Sequence, residues 1–438
     1  MLSLQKLNNG IVMNDKTYYF IQYILLCVFA FVMPFSTPNF PYFNLTPTMT
    51  ALLLLMWLIH GKFSKKFNLL KTNQLLFPFL LFTGLYALYL LGMLYSNDTA
   101  FGLNDLFLKL PFLLLPVIIL TIQPDYWSKK RILRILQFFV LGNLITLIIS
   151  IFHSWTLFKI DDCFYHFHYV EASWFHHPSY ASMYYCFSFA IIIYLLLHYK
   201  TALWEKIAGI FGVILFSTEI VLLDSRAGIL SFACVLLIFI FYILFFKRKF
   251  ILHLLACIVC MSGILLITYK LLPAEMNRIQ STISNIQENN TEVGEYFKEK
   301  KDVRLLIWDA SFKVGIAHLP FGVGTGDIKE ELKKQYMKEE YLEPYAENHN
   351  AHSQYLQVFA TLGILGIVVL LLILFSPFWT GYKRKNILFI LFGVIVGINF
   401  VVESMFEKQA GVMFFTFFFL FLYFVSRCQK FKEKENLY

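Results

Sequence analysis

Long apolar runs alternate with short polar stretches along almost the whole chain. A membrane-crossing helix needs about 20 predominantly apolar residues. Twelve helices are predicted on that basis, at residues 17–35, 46–60, 74–94, 106–122, 132–153, 179–198, 206–222, 227–246, 250–272, 354–376, 387–402 and 411–426. One region, from Arg304 to Gly366, breaks the pattern with charged and glycine-rich sequence. Within it, Arg304 and Trp308 are four apart and share a helix face. Pro320 is expected to stop that helix, with Phe321 to Asp327 as a flexible turn. Asp327 and Glu330 predict a capping box that opens a charged helix ending near Pro344. Asn348 to Tyr355 then leads back into an apolar span.

Composition agrees with the pattern. Hydrophobic residues make up 58% of the chain, mean hydropathy is +0.63 and charged residues are 15%, which excludes an ordinary soluble domain. The expected fold class is an all-α polytopic membrane protein of about 12 transmembrane helices with one long extracytoplasmic loop. The seven cysteines form no disulfide framework, because Cys27, Cys186, Cys234, Cys257 and Cys260 lie in apolar spans, Cys428 in the tail and Cys163 in a polar loop. Lys6 and Lys16 precede the first span without a small-residue cleavage site, so that span is expected to be uncleaved.

Basic residues set the orientation, since Lys and Arg in short loops stay cytoplasmic. With the N-terminus inside, the inside loops hold Lys62, Lys65, Lys66 and Lys71; Lys129, Lys130 and Arg131; Lys200 and Lys206; Lys247, Arg248 and Lys249; and Lys383, Arg384 and Lys385. The short outside loops carry only Lys159, Arg226 and Lys408. Both termini are therefore expected in the cytoplasm. The expected organisation is a cytoplasmic N-terminus (1–16), helices 1–9 (17–272), a long outside loop (273–353), helices 10–12 (354–427) and a cytoplasmic tail (428–438). The net charge of +9 reads as a topology signal and an attraction to membrane lipids. No basic patch with interleaved aromatics suggests nucleic acid.

Four polar features fall on the same outer side: the His-rich loop 154–178, the turn Asp224 to Gly228, the long loop, and Glu403 after the eleventh helix. Their shared side suggests one site. Arg226, Arg304 and His352 are its candidate chemical groups. An outside Arg departs from the basic-inside pattern, though Arg226 could instead snorkel to headgroups. Arg304 lies among lysines, where solvation is the alternative. His352 stands beside amides, where a structural hydrogen bond is the alternative. Gly322, Gly324 and Gly326 permit a tight turn and leave a backbone phosphate nest open. Lys109, followed by Pro111 and Pro116, is an intramembrane charge, with Glu403, Asp105 or snorkelling as alternatives. In the His-rich loop, Asp161, Asp162, Cys163, His166, His168, His176 and His177 match no zinc spacing. A sugar platform of Trp155, Tyr165, Tyr169 and Trp174 suits that loop better.

Together, Ser225 to Gly228, the Arg304…Trp308 helix, Pro320 to Asp327, His352-Ser-Gln-Tyr-Leu-Gln357 and Thr361 to Gly366 resemble the O-antigen ligase/polymerase superfamily. The detailed resemblance covers roughly residues 170–405. The family usually has Asn after the His, whereas Ser353 follows His352 here, and His349-Asn350 lies just upstream. His352 is favoured because Gln354 to Gln357 follows in register. The resemblance implies a GT-C-like glycosyltransferase in the bacterial inner membrane. It would move a glycan from a polyprenyl-diphosphate carrier, such as undecaprenyl diphosphate, to an acceptor hydroxyl on the outer face. That acceptor is lipid A-core or a similar glycolipid in a ligase, a glycan in a polymerase, or a protein in an O-oligosaccharyltransferase.

The residue chemistry fits such a transfer. Arg neutralises a diphosphate leaving group through a fixed bidentate fork, the task given to Arg226 and Arg304. An imidazole, with an ordinary pKa of about 6.5, is a suitable base for the acceptor hydroxyl, the task given to His352 with His349 as alternative. His177, which opens the sixth helix in a family-like His177-Pro-Ser-Tyr180, joins Lys109, Trp308, Gly324, Asn350, Gln354 and Glu403 as candidate substrate-binding residues. No Asp-x-Asp motif occurs, which argues against a metal-dependent transferase, and no cofactor is expected. Twelve helices also suit a transporter or lipid-linked glycan flippase, but no repeat between halves supports that class.

The basic-residue tally predicts that a reporter fused after Tyr438 is active in the cytoplasm and one inserted within Gln287–Lys298 is active outside. An active cytoplasmic reporter in that loop would overturn the shared-side argument.

Overall fold

The computed structural model describes residues 14–36, 44–199, 202–247 and 303–427. The predicted span 250–272, Cys257, Cys260, Cys428 and the first part of the long loop lie outside them. The described residues are helical, with no strand. They form α1 (Asp15–Val32), α2 (Thr46–His60), α3 (Phe63–Thr72), α4 (Leu76–Gly92), α5 (Thr99–Lys109), α6 (Pro111–Ile119), α7 (Lys129–Asp161), α8 (Pro178–His198), α9 (Leu203–Leu222) and α10 (Arg226–Phe246). After the undescribed stretch come α11 (Val303–Ala317), α12 (Ile328–Lys338), α13 (Gln354–Arg384), α14 (Ile387–Val402) and α15 (Gln409–Arg427). Eight described helical segments are long and apolar enough to cross a membrane, and α2 and α14 are shorter apolar helices. The protein is an all-α polytopic membrane protein.

Burial separates the helices into a centre and a rim. In α15, Val412 through Tyr423 and Phe424 are almost wholly enclosed, and its phenylalanines meet Phe82, Phe139, Phe187, Phe389 and Phe392 from four other helices. Aromatic pairs at these spacings stabilise by about 0.5–1.5 kcal/mol each beyond their buried area. The first half of α8 is equally enclosed. By contrast, α10 is highly apolar yet mostly uncovered, with Leu230, Leu237, Phe241 and Phe245 outward. That is the pattern of a helix bathed in hydrocarbon rather than water.

Several boundaries differ from the sequence reading for physical reasons. The span predicted at 106–122 begins earlier, at Thr99, because Asp98 caps it through the Phe101 amide, and it divides at Leu110 where Pro111 starts a new helix. The loop expected after α2 contains α3, whose Lys66 is buried with its ammonium on the Trp57 carbonyl and over the Trp57 ring. The helix of Arg304 and Trp308 ends at Ala317, before Pro320. The charged helix stops at Lys338, and Pro344 sits in a separate short helix, Leu342–Ala346. The capping box at Asp327 does not form. Its carboxylate instead accepts hydrogen bonds from the Asn97 and Asp98 amides at 2.8 Å each.

The second half of the polar region is thus a folded layer on the bundle. Its anchor is a break in α13 at Gly363, where φ is +62°. The loop after α11 enters this break: Val323 donates to the Ala360 carbonyl (2.9 Å), Gly324 to Thr361 (3.0 Å), and Ile364 donates back to Pro320 (2.9 Å). A Cβ on Gly363 would lie 1.9 Å from the Pro320 oxygen. Only glycine satisfies both the conformation and the space.

Gly363→Ala is therefore expected to destabilise the protein by about 1–3 kcal/mol. Gly397→Ala, whose new Cβ would meet only the Tyr355 hydroxyl at 3.8 Å, should be neutral or slightly stabilising. Melting of the two detergent-purified variants beside the parent checks this, and equal behaviour would show that the break does not organise the fold.

Candidate active site

The loop between the short helix and α13 places His352 at the centre of the polar layer. Its backbone is held at φ +40°, a region costly for a residue with a Cβ. Three hydrogen bonds keep it there. Asn350 Oδ1 accepts from the His352 amide (3.0 Å), Gln357 Oε1 accepts from the Ala351 amide (3.1 Å), and the His352 carbonyl accepts from Trp308 Nε1 (3.1 Å). Trp308 thus acts on the imidazole through the backbone, from the α11 face it shares with Arg304.

The imidazole lies between two partners. His352 Nε2 is 3.2 Å from His349 Nδ1, and Nδ1 is 3.7 Å from Glu403 Oε2, an ion-pair rather than hydrogen-bond separation. Glu403 follows α14 and is 8% exposed. Burial alone would raise its carboxyl above the ordinary 4.5. The His352 ring, with further contributions from His177 and Arg304, outweighs this and holds it lower. His349 is held below the ordinary 6.5, first by desolvation and then by the neighbouring His352. His177 is exposed at its edge, yet desolvation still lowers its imidazole. There Arg304, His352 and Lys408 oppose ionisation while Glu403 favours it. These mutual influences bring His177, Arg304, His352 and Glu403 within electrostatic reach of one another.

Arg226 reaches the same end of the bundle by a different route. It is the exposed first residue of α10, whose N-cap Ser225 accepts from the Gly228 amide. Gly228 packs against Ser182, one turn into the helix that His177 opens. Asn399 donates to Ser231 (3.0 Å), so one further turn outward along each helix gives Glu403 on α14 and Arg226 on α10.

The remaining candidates hold the site up. Gln354 accepts from the Phe406 amide (2.6 Å) and so fixes the Met405–Glu407 turn after Glu403. Lys109 is fully buried under the Tyr89 ring. It pairs with Asp105, one turn back, and with Glu407 at 3.1 Å, not with Glu403. Gly324 has φ +89°, and a Cβ there would lie 2.5 Å from Ser96 Oγ. Its neighbours bind the end of α4: Thr325 donates to the Tyr89 carbonyl (2.6 Å) and Ser96 Oγ accepts from Gly326 (2.9 Å). This close packing accounts for the glycine without a phosphate.

Two residues of this region escaped the sequence reading. Glu407 lies in the same loop after α14 as Glu403, and that shared loop was the available signal. Tyr180, in the first turn of α8, lies within electrostatic reach of Glu403 and Glu407. Its hydroxyl, Ser404 Oγ, Gln354 Nε2 and His352 Nδ1 are all buried without a hydrogen-bond partner. Buried polar atoms are rarely left so, and their grouping around the 403–407 turn suits a polar ligand. In the His-rich loop, His166 pairs with Asp161 (2.8 Å) and His153 stacks on Trp174, leaving Trp155 and Tyr165 largely exposed. Among the described residues no group of three or more His, Cys, Asp or Glu is placed to hold a metal.

Residues 211–371 match the family described as O-antigen ligase. That stretch contains Arg226, Arg304, Trp308, Gly324 and His352 and stops short of Glu403. No curated protein matches the chain.

One pH effect follows from the wall of the site. The His176 ring donates Nε2–H to the Pro34 carbonyl (3.0 Å), and the ring is enclosed although the residue as a whole is half-buried. Desolvation pushes its pKa down to about 4. The unfolded chain then binds more protons than the folded one between about pH 6.5 and 4, so stability is lost as pH falls through that window. Melting temperature should drop by several degrees over that range, and His176→Asn, which keeps a donor but cannot titrate, should flatten the drop. Parallel slopes would assign the loss to other groups.

Proposed function

We propose that this chain, a multi-pass member of the O-antigen ligase/polymerase superfamily by its match over residues 211–371, moves a glycan from a polyprenyl-diphosphate carrier to the hydroxyl of a glycolipid acceptor such as lipid A-core. The transfer takes place at the outer face of the inner membrane. The coarser statement, a membrane glycosyltransferase of that family, is supported by the match itself. The observation that carries the finer reading is the His352–Glu403 pair, set beside Arg304 and His177 at one end of an apolar bundle.

In the proposed step the acceptor O–H proton passes to the imidazole as its oxygen bonds to the anomeric carbon. The bond from that carbon to the diphosphate breaks, and the diphosphate leaves with its electron pair. Glu403 favours the His352 tautomer with its proton on Nδ1, which leaves Nε2 as the base. The acceptor hydroxyl would take the place that His349 occupies on Nε2. Glu403 also stabilises the imidazolium that forms. Arg226 and Arg304 neutralise the departing diphosphate, a role Lys fills less well because a point charge lacks the fork. A site sheltered by Trp308 and the 403–407 turn strengthens each of these interactions.

Donor affinity, measured with a labelled carrier lipid, and transfer rate should separate the roles. Arg226→Ala or Arg304→Ala should weaken donor binding and cut transfer about 10²–10³-fold, with partial recovery in the Lys variants. His352→Ala should leave donor binding near normal while transfer falls, and Glu403→Gln should resemble it more mildly. Equal loss of donor affinity in all four would make His352 a phosphate ligand. Full activity of the His352 variant would move the base to His349.

A further inference from the structure

The opposite end of the bundle carries a second built feature. Past its break at Gly363, α13 continues from Ile364 to Arg384, roughly 30 Å at 1.5 Å per residue, so its last turn lies far from the site. There it meets the last turn of α15, and the two enclose a cleft of about 320 Å³ lined by Trp379, Thr380, Lys383, Arg384 and Arg427. Basic residues in final helical turns complement the helix dipole and by themselves imply no ligand. The arrangement here goes further. Lys383 is held over the Trp379 ring at 4.0 Å. Arg427 is fixed by Gln74 Oε1 at 2.7 Å and the Tyr423 hydroxyl at 3.1 Å, while its Nε–H is buried with no partner. Asn386 donates to Ser426 (2.8 Å) and locks the two helix ends together beside the cleft. None of the three cations pairs with a carboxylate among the described residues.

From this geometry we infer that the cleft between the ends of α13 and α15 binds a phosphate group, supplied by the headgroup of an anionic phospholipid. Three converging cations and an orphaned guanidinium N–H match the oxygens of a phosphodiester. The rim argues for a lipid source. Phe375, Trp379 and Tyr382 point outward around the mouth, the composition of an interfacial aromatic belt, so acyl chains would lie along the apolar face of α13. The basic-residue pattern places this end on the cytoplasmic side, where the leaflet's anionic lipids attract basic segments.

Native mass spectrometry of the full chain released from mixed phosphatidylcholine and phosphatidylglycerol nanodiscs tests the inference. The parent should retain one phosphatidylglycerol in preference to phosphatidylcholine. Lys383→Ala and Arg427→Gln should each lower that retention several-fold. Lys247→Ala, a basic residue at the end of α10 outside the cleft, should not. Equal loss in the Lys247 variant would mean diffuse attraction and overturn a defined site, as would undiminished retention in both cleft variants. A second arm titrates inorganic phosphate onto protein in phosphatidylcholine alone. Failure of free phosphate to bind supports the lipid source, and saturable binding that the cleft variants abolish would overturn it in favour of a soluble phosphate.

Discussion

The interlock of the Pro320–Gly324 loop with the broken backbone of α13 is the constraint on which the rest depends. A helix interrupted at Gly363 exposes carbonyls that must be satisfied away from water, and the loop after α11 supplies the missing amides. In exchange, α11 is held against α13 in one register. Trp308 can then reach the His352 carbonyl and Arg304 can face Glu403. The adjoining Thr325, Gly326 and Asp327 extend the same fixation to α4 and α5. One short loop therefore ties two halves of the chain together at the site.

The charges are arranged in two tiers. Beneath, Lys109 with Asp105 and Glu407 forms a buried group in which each charge has a partner. Removing one member would leave another uncompensated in a low-dielectric setting, the costly case for buried ion pairs. Above, the His352, Glu403, Arg304 and His177 tier is more open to solvent. The lower tier holds the 403–407 turn in place, and with it the position of Glu403 in the upper tier.

The helical architecture was legible because an apolar run of spanning length has few alternatives in lipid. The polar layer was legible in part. Arg304 and Trp308 were readable as one face from their spacing, and the basic-residue count had grouped Glu403 with the polar features that it meets in the fold. What could not be read was the partner of each polar group. Asp327 has the sequence of a helix cap, yet its carboxylate is taken by amides from a segment about 230 residues away. Lys109 had Asp105 at helical spacing, but Glu407 comes close only through the packing of α15. Gly324 resembled a ligand loop because close backbone packing and phosphate binding ask for the same residue. Whether a glycine faces a ligand or Ser96 depends on the tertiary fold.

The position of α15 in the chain has a consequence for biosynthesis. The helix that fills the centre of the bundle follows every other described helix in sequence. Glu407, just ahead of it, is separated from Lys109 by 298 residues. At about 5–20 residues per second, the ribosome needs roughly 15–60 s to join one partner to the other. For that interval Lys109 has only Asp105, and the surrounding helices lack the phenylalanine column they close upon. The nascent bundle must wait in a loosely associated state, and its final packing is a late, nearly simultaneous event rather than a helix-by-helix accretion.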